Sequence, residues 1–398
     1  MNPDLQKLHP YPFERLVKLL DGVTPAADKS AVSLSIGEPQ HEADERFLQA
    51  MHDDRHRYSK YPFSKGTPEL RQSIAAWLQR RFGLGDAGID AEKHVIPVSG
   101  TREALFSIAQ AVVDRNTRPV VIMPNPFYQI YEGAALLAGA EPYYLNTTAE
   151  NNYLPDFKSV PEKIWQRCQL IYICSPGNPT GAVIPEEQLL WLMEAAERYD
   201  FVIASDECYS EIYPDECNPP VGLLAAAKNA GNSEYKNCLV FHSLSKRSNL
   251  AGLRSGFVAG DAEVMSRYLK YRTYHGCALA LPTQTASIMA WDDEEHVRKN
   301  RDAYREKFQS VIEILSPVLD CKQPDASFYL WPSLPMDDEA FTRRLYEQEN
   351  VLVLPGSYLS RDTDSGNPGK NHVRIALVAE IATCIDAAKR IKTVLENY

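Results

Sequence analysis

No cysteine pair spaced C-x-x-C, no apolar run long enough to span a bilayer and no long basic stretch occurs in these 398 residues. Each absence removes a class of function. Cys168, Cys174, Cys208, Cys217, Cys238, Cys277, Cys321 and Cys384 are scattered, mostly in apolar strand-like contexts. They read as buried free thiols rather than as a metal site or a disulfide framework, and no metal is expected. Acidic side chains outnumber basic ones by 53 to 42, a net charge of −11. Nucleic acid and anionic membranes are therefore not expected partners, and small molecules are. Met1–His9 has no signal-peptide core, so a cytoplasmic protein is expected. Also missing are a G-x-x-x-x-G-K-[ST] loop and a G-x-G-x-x-G run after a strand, which argues against ATP and dinucleotides.

With 44% hydrophobic and 24% charged residues, the chain can build a large core and two domains. His9-Pro10-Tyr11-Pro12-Phe13 is a stiff arm of the kind that packs on a neighbouring subunit, and a short helix through Leu16, Val17, Leu19 and Leu20 follows it. Val32–Ile36 alternates as a strand and stops at Gly37-Glu38-Pro39, where glycine allows close approach of a ligand. Arg57–Gly66 is an aromatic and cationic loop suited to a contact surface, and Thr67 caps a helix with Pro68 in its first turn. From His94 to about Gly260, short apolar strands alternate with amphipathic helices, the pattern of a mostly parallel sheet covered on both faces. The expected strands are His94–Ser99, Pro119–Met123, Gln169–Cys174, Phe201–Ser205, Cys238–Ser243 and Ser255–Ala259. After about Pro282 come longer helices, Asp293–Leu315 and one from Asp338, with short strands at Ser327–Trp331, Val351–Leu354 and His372–Val378.

Ligands of such sheets bind at the carboxyl ends of the strands. There the chain places Gly100-Thr101 opening a helix, Phe127-Tyr128, Ser175-Pro-Gly-Asn178-Pro-Thr-Gly181, Asp206-x-x-Tyr209 and Ser243-x-Ser245-Lys246, with Arg254 eight residues on. Two hydroxyls, an ammonium, a guanidinium and a helix N-terminus suit a phosphate dianion. Tyr128 or Phe127 can stack on a flat ring, Asn178 and Tyr209 can bond a phenolic oxygen, and Asp206 can pair with a pyridinium nitrogen. Singly, each has a plainer role as turn, cap or core residue. Together they point to a lysine-bound pyridoxal phosphate.

In order and spacing these motifs resemble the class I and II aminotransferases among the fold-type-I pyridoxal phosphate enzymes, over nearly the whole chain. The resemblance implies an α/β fold with a large mostly parallel sheet and a smaller α+β domain. Its divisions would be residues 1–45 (arm and start of the small domain), 46–284 (large cofactor-binding domain) and 285–398 (small C-terminal domain). It implies pyridoxal 5'-phosphate on Lys246, with Asp206 and Tyr209 beside it as catalytic residues. Gly100, Thr101, Arg102, Tyr128, Asn178, Ser243, Ser245 and Arg254 would bind the cofactor. Tyr61 would reach across a homodimer to the partner's phosphate, and Gly37, Asn178 and Arg374 would bind the substrate. Arg374 lies in the apolar stretch Val373–Leu377, where a charge needs an anion; a structural salt bridge is the alternative to a substrate carboxylate.

Segments such as His9–Leu16, Ser35–Pro39, Gly100–Phe106, Asn125–Gly133, Phe241–Leu250 and Tyr271–Ala278 resemble more closely the succinyldiaminopimelate aminotransferases of bacterial lysine synthesis. That implies N-succinyl-L,L-2,6-diaminopimelate and 2-oxoglutarate as substrates, with Arg102 and His275 as candidate cations for distal carboxylates. Donors such as N-acetylornithine, aspartate or kynurenine are the alternative. A silent regulator is disfavoured, because Lys246 and Asp206 are retained and little chain precedes the domain to hold a DNA-binding segment.

Overall fold

The computed structural model describes residues 1–85 and 88–397. Its strands are β1 (Val32–Ser33), β2 (Val95–Val98), β3 (Val120–Asn125), β4 (Glu141–Asn146), β5 (Cys168–Cys174), β6 (Val202–Asp206), β7 (Cys238–Ser243), β8 (Gly256–Gly260), β9 (Tyr329–Leu330), β10 (Val351–Leu352), β11 (Leu354–Pro355) and β12 (Val373–Ala376). Seven of them form one sheet in the order β2-β8-β7-β6-β5-β3-β4. Its pairings are parallel except those of β8 with β2 and with β7.

Period-two alternation places this sheet between two cores. Val120 and Ile122 of β3, Ile203 of β6 and Val240 of β7 pack on one face with Ile74, Trp77, Leu192 and Trp291. Their neighbours Val121, Met123, Ala204 and Phe241 pack on the other face with Ile108, Tyr131, Tyr172 and Tyr268. β4 was not expected from the sequence. It is the edge strand, half exposed, and there Pro142 interrupts no central ladder. Within the helix Pro68–Phe82, Thr67 caps the N-terminus by accepting from the Leu70 amide (3.3 Å), and Gly83 (φ 61°) ends it.

A third core joins Leu34, Phe308, Val311, Val351, Ile375, Leu377 and Ile391. It lies under the helices Glu295–Leu315, Asp338–Glu349 and Ile381–Glu396 and the strand trio β11-β12-β9. The expected strand Val32–Ile36 shortens to β1, because after Leu34 the chain turns toward the end of β7. Among the described residues no helix is long and apolar enough to cross a membrane.

The end of β3 is fastened to the turn Gly356–Arg361. Asn125, fully buried, donates from Nδ2 to the Arg361 carbonyl (2.9 Å) and accepts from the Arg361 amide (2.9 Å). Arg361 in turn donates twice to the buried Glu132 carboxylate (2.8 and 2.6 Å), which also accepts from Tyr144 Oη (2.6 Å). This clasp fixes the segment that carries Tyr128. Removing one partner of a buried pair leaves the other charge uncompensated. Arg361→Met should therefore cost about 3 kcal/mol in a denaturant titration, and adding Glu132→Gln should recover part of it. An unchanged midpoint in the single variant would contradict the clasp.

Candidate active site

The carboxyl ends of β3, β5, β6 and β7 open on one cavity of about 590 Å³, within the range of about 300–1,000 Å³ typical of small-molecule sites. Gly37, Thr101, Arg102, Tyr128, Asn178, Asp206, Tyr209, Ser243, Ser245, Lys246, Arg254 and Arg374 all line it. Gly37 and Arg374, 337 positions apart in sequence, meet in this one cavity.

At one end lies an anion cup. Gly100 (φ 85°) caps the helix Thr101–Val112, and a Cβ there would stand 2.3 Å from Arg254 Nη2, so only glycine lets this guanidinium come so close. The amide of Gly100 donates back to the Val98 carbonyl (2.8 Å). That amide is thus engaged within the chain, and the polar groups that line the cavity here are those of Thr101, Arg254, Ser243 and Ser245. Ser243 Oγ donates to Ser245 Oγ (3.0 Å), which leaves the Ser245 proton to be given elsewhere.

Asp206, at the end of β6, is buried. Its carboxylate accepts from Tyr131 Oη (2.7 Å) and the Cys208 amide (3.2 Å). Burial pushes its pKa up, against the pull of those hydrogen bonds, and a cation beside it would favour the ionised carboxylate and be favoured by it in turn. Sequence reading missed Tyr131, which stacks on Tyr172 at 4.7 Å. Its signal was its place three residues after Tyr128 in a segment already singled out. Tyr209 Oη lies 3.0 Å from Tyr329 Oη, a second residue that was missed. Tyr128 Oη accepts from Arg102 Nε at 2.6 Å.

Arg374 is buried, and its partners are neutral. Nη1 donates to Asn178 Oδ1 (3.0 Å), Nη2 donates to the Ser35 carbonyl (2.7 Å), and Nε has no hydrogen-bond partner. The salt-bridge alternative finds no support in these contacts, and a bound carboxylate would supply the missing anion. Gly37 enters the site through its carbonyl, which accepts from Lys246 Nζ. A Cβ on Gly37 would stand 1.9 Å from Tyr329 Oη.

Lys246 follows β7 in a single helical turn, Leu244–Arg247. Burial pulls its pKa from 10.5 down to about 8, with the charge of Arg374 adding to the effect. The amine is therefore partly neutral near physiological pH. Pyridoxal 5'-phosphate fits this donor set: an anion cup at the helix N-terminus, a buried carboxylate for its ring nitrogen, phenol and amide groups beside it, and a lysine of lowered pKa.

Of the expected residues, Gly100, Tyr61 and His275 do not line the cavity. Tyr61 is 99% exposed and does not line the cavity of its own chain. His275 stacks on Tyr271 (5.7 Å) in the last turn of the helix Ala262–His275 and does not line the cavity, so it is withdrawn as a distal cation. The arm, expected to pack on a neighbour, also lines this chain's own cavity through Tyr11, Pro12 and Phe13.

The sequence matches the class I and II aminotransferase family over residues 29–391. It is 32% identical to an LL-diaminopimelate aminotransferase of Aquifex aeolicus over 98% of this chain and 97% of that one. A solved aminotransferase from Neisseria meningitidis superposes with a TM-score of 0.95 at 49% identity, covering 99% of this chain and 100% of the other. A probable N-succinyldiaminopimelate aminotransferase from Thermus thermophilus superposes with a TM-score of 0.84 at 27% identity, covering 96% and 99%.

The lowered pKa gives a direct test in the cofactor-free protein. Acetic anhydride reacts with the neutral amine, so Lys246 labelling, read by peptide mass spectrometry, should climb with pH and level off above about 8. A rise continuing to 10.5, the ordinary lysine value, would contradict the burial argument.

Proposed function

Because the chain belongs to the class I and II aminotransferases, with pyridoxal 5'-phosphate as cofactor, we propose that it exchanges an amino group between N-succinyl-L,L-2,6-diaminopimelate and 2-oxoglutarate. The products are N-succinyl-2-amino-6-oxopimelate and glutamate, and the setting is diaminopimelate and lysine synthesis in the cytoplasm. One observation carries the reading. The cavity that holds Lys246, Asp206 and Arg374 holds a further guanidinium, Arg102, whose hydrogen bond goes to a phenol rather than to a carboxylate. A long donor with distal carboxylates would use it.

The residues divide the work. Thr101, Ser243, Ser245 and Arg254 hold the phosphate, while Asp206 keeps a proton on the ring nitrogen and is itself oriented by Tyr131. Asn178 and Tyr209 bond the phenolic oxygen, and Tyr128 covers the ring. When bound, the cofactor supplies the electron sink that accepts the electron pair released at the substrate Cα. Arg374 grips the α-carboxylate and so aims the Cα–H bond at Lys246 Nζ, which takes and carries that proton. We also propose a homodimer in which Tyr61 reaches the partner's phosphate. The exposure of Tyr61, Phe63 and Tyr58 (99%, 81% and 58%) supports a covered face there.

A second reading has a specific ground. Free LL-diaminopimelate is the substrate named for the Aquifex aeolicus relative, and Glu38, which also lines the cavity, would suit its distal ammonium. A donor panel separates the two. N-succinyl-LL-diaminopimelate, LL-diaminopimelate, N-acetylornithine and aspartate are each mixed with the holoprotein while the visible band of the lysine-bound cofactor is followed. Conversion fastest with the succinylated donor is expected; faster conversion by LL-diaminopimelate would move the assignment to the second reading. Lys246→Ala should abolish turnover, and retained steady-state transamination would sink the role given to Lys246. Arg102→Ala should raise KM for the succinylated donor roughly tenfold, the loss of one charge-assisted hydrogen bond of about 1.5 kcal/mol, and leave KM for glutamate nearly unchanged. Equal effects on both substrates would count against a distal-carboxylate role.

A further inference from the structure

Lys307, on the helix Glu295–Leu315, is only 2% exposed, and both of its hydrogen bonds go to neutral acceptors: His41 Nε2 and the Leu377 carbonyl (3.3 Å). Holding an ammonium inside protein without an anion is costly, so the position calls for an explanation. Around it lie the Tyr304 ring (5.0 Å from Nζ), the buried thiol of Cys384 and the exposed carboxylate of Glu380.

The polarity of the contacts forms a chain. Burial pulls the Lys307 pKa down, with Cys384 and Glu380 opposing it; in its protonated form the amine can only donate, so His41 Nε2 accepts. A neutral imidazole then carries its proton on Nδ1, which donates to Asn300 Oδ1 at 2.9 Å. Burial keeps His41 neutral by pulling its pKa down, and the Lys307 charge acts in the same direction. Asn300 Oδ1 accepts from Asn249 Nδ2 as well (3.1 Å), so its amide nitrogen faces the other way, toward the carbonyls of Lys246 (3.2 Å) and Arg247 (3.4 Å). Those carbonyls close the turn from which the Lys246 side chain leaves. The other ends of the chain reach the site too: Leu377 follows Arg374 by three residues, and His41 follows Gly37 by four. None of Lys307, His41 and Asn300 lines the cavity.

We infer that Lys307, His41 and Asn300 are positioning residues, a polarised relay in which Lys307 fixes the histidine tautomer and Asn300 fixes the backbone of Lys246. The inference rests on Lys246 being the reacting amine. Its test compares His41→Gln, whose amide keeps an acceptor for Lys307 and a donor for Asn300, with His41→Leu, which keeps bulk and loses both. Acetic anhydride labelling of Lys246 in the cofactor-free protein is the first readout, and the separation of kcat from KM in the holoprotein is the second. In His41→Leu the labelling midpoint should rise by about one pH unit, as the loosened amine reaches water, and kcat should fall about tenfold at unchanged KM. His41→Gln should stay within threefold of the parent in kcat and keep its midpoint. Asn300→Ala, which cuts the last link, should shift the midpoint as His41→Leu does and serves if the leucine variant does not fold. A parent-like midpoint and kcat in the variants that break the chain, or an equal loss in His41→Gln, would overturn the relay. Labelling uses no amino donor, so an error in the substrate assignment leaves this test intact.

Discussion

Everything in this site depends on keeping one amine, Lys246 Nζ, out of water and near the Arg374 guanidinium. Burial alone lowers its pKa, and Arg374 lowers it further. Amines in ordinary solvent stay protonated at neutral pH and cannot accept a proton from carbon. The protein meets this requirement with a short turn at the end of β7, a carbonyl from Gly37 and an aromatic wall in Phe328, whose ring centre lies 5.4 Å from the amine. Gly37 comes so near because it has no side chain to strike Tyr329.

The sheet turns that local demand into an architecture. Parallel strands point their carboxyl ends the same way, so β3, β5, β6 and β7 deliver the Tyr128 segment, Asn178, Asp206 and Lys246 to one crevice without special loops. β12 adds Arg374 from a separate core, and Asn178 joins the two parts by accepting from Arg374. The clasp of Asn125, Glu132 and Arg361 ties the same two parts on the far side of the crevice. A substrate carboxylate at Arg374, as proposed, would thereby be held in register with an amine that arises more than a hundred residues earlier.

Much of this could be read from the sequence because the signals are local. Ser243–Lys246 with Arg254, Asp206 with Tyr209, and the turn around Asn178 keep their spacing in one dimension, and the six expected strands form within a residue or two of their expected ends. What was missed is long-range. Tyr329 meets Tyr209, Tyr131 meets Asp206, and Lys307 meets His41 across separations that no periodicity records. The edge strand β4 was hidden by its proline and by its mixed exposure. His275 was named for its charge and its segment, but the helix that carries it turns it onto Tyr271. Gly100 was named from its place before the helix, whereas the direction of its amide depends on the Val98 carbonyl.

The proton at the substrate Cα can be followed itself. Holoprotein incubated with L-glutamate in deuterium oxide, with the Cα position read by NMR, reports whether Lys246 takes and returns that hydrogen. Rapid deuterium entry at Cα is expected with the parent protein, and loss of it in a Lys246→Ala variant that still retains the cofactor. Exchange at the parent rate in that variant would contradict this role of the lysine, because the proton would then be moved by a group other than Lys246.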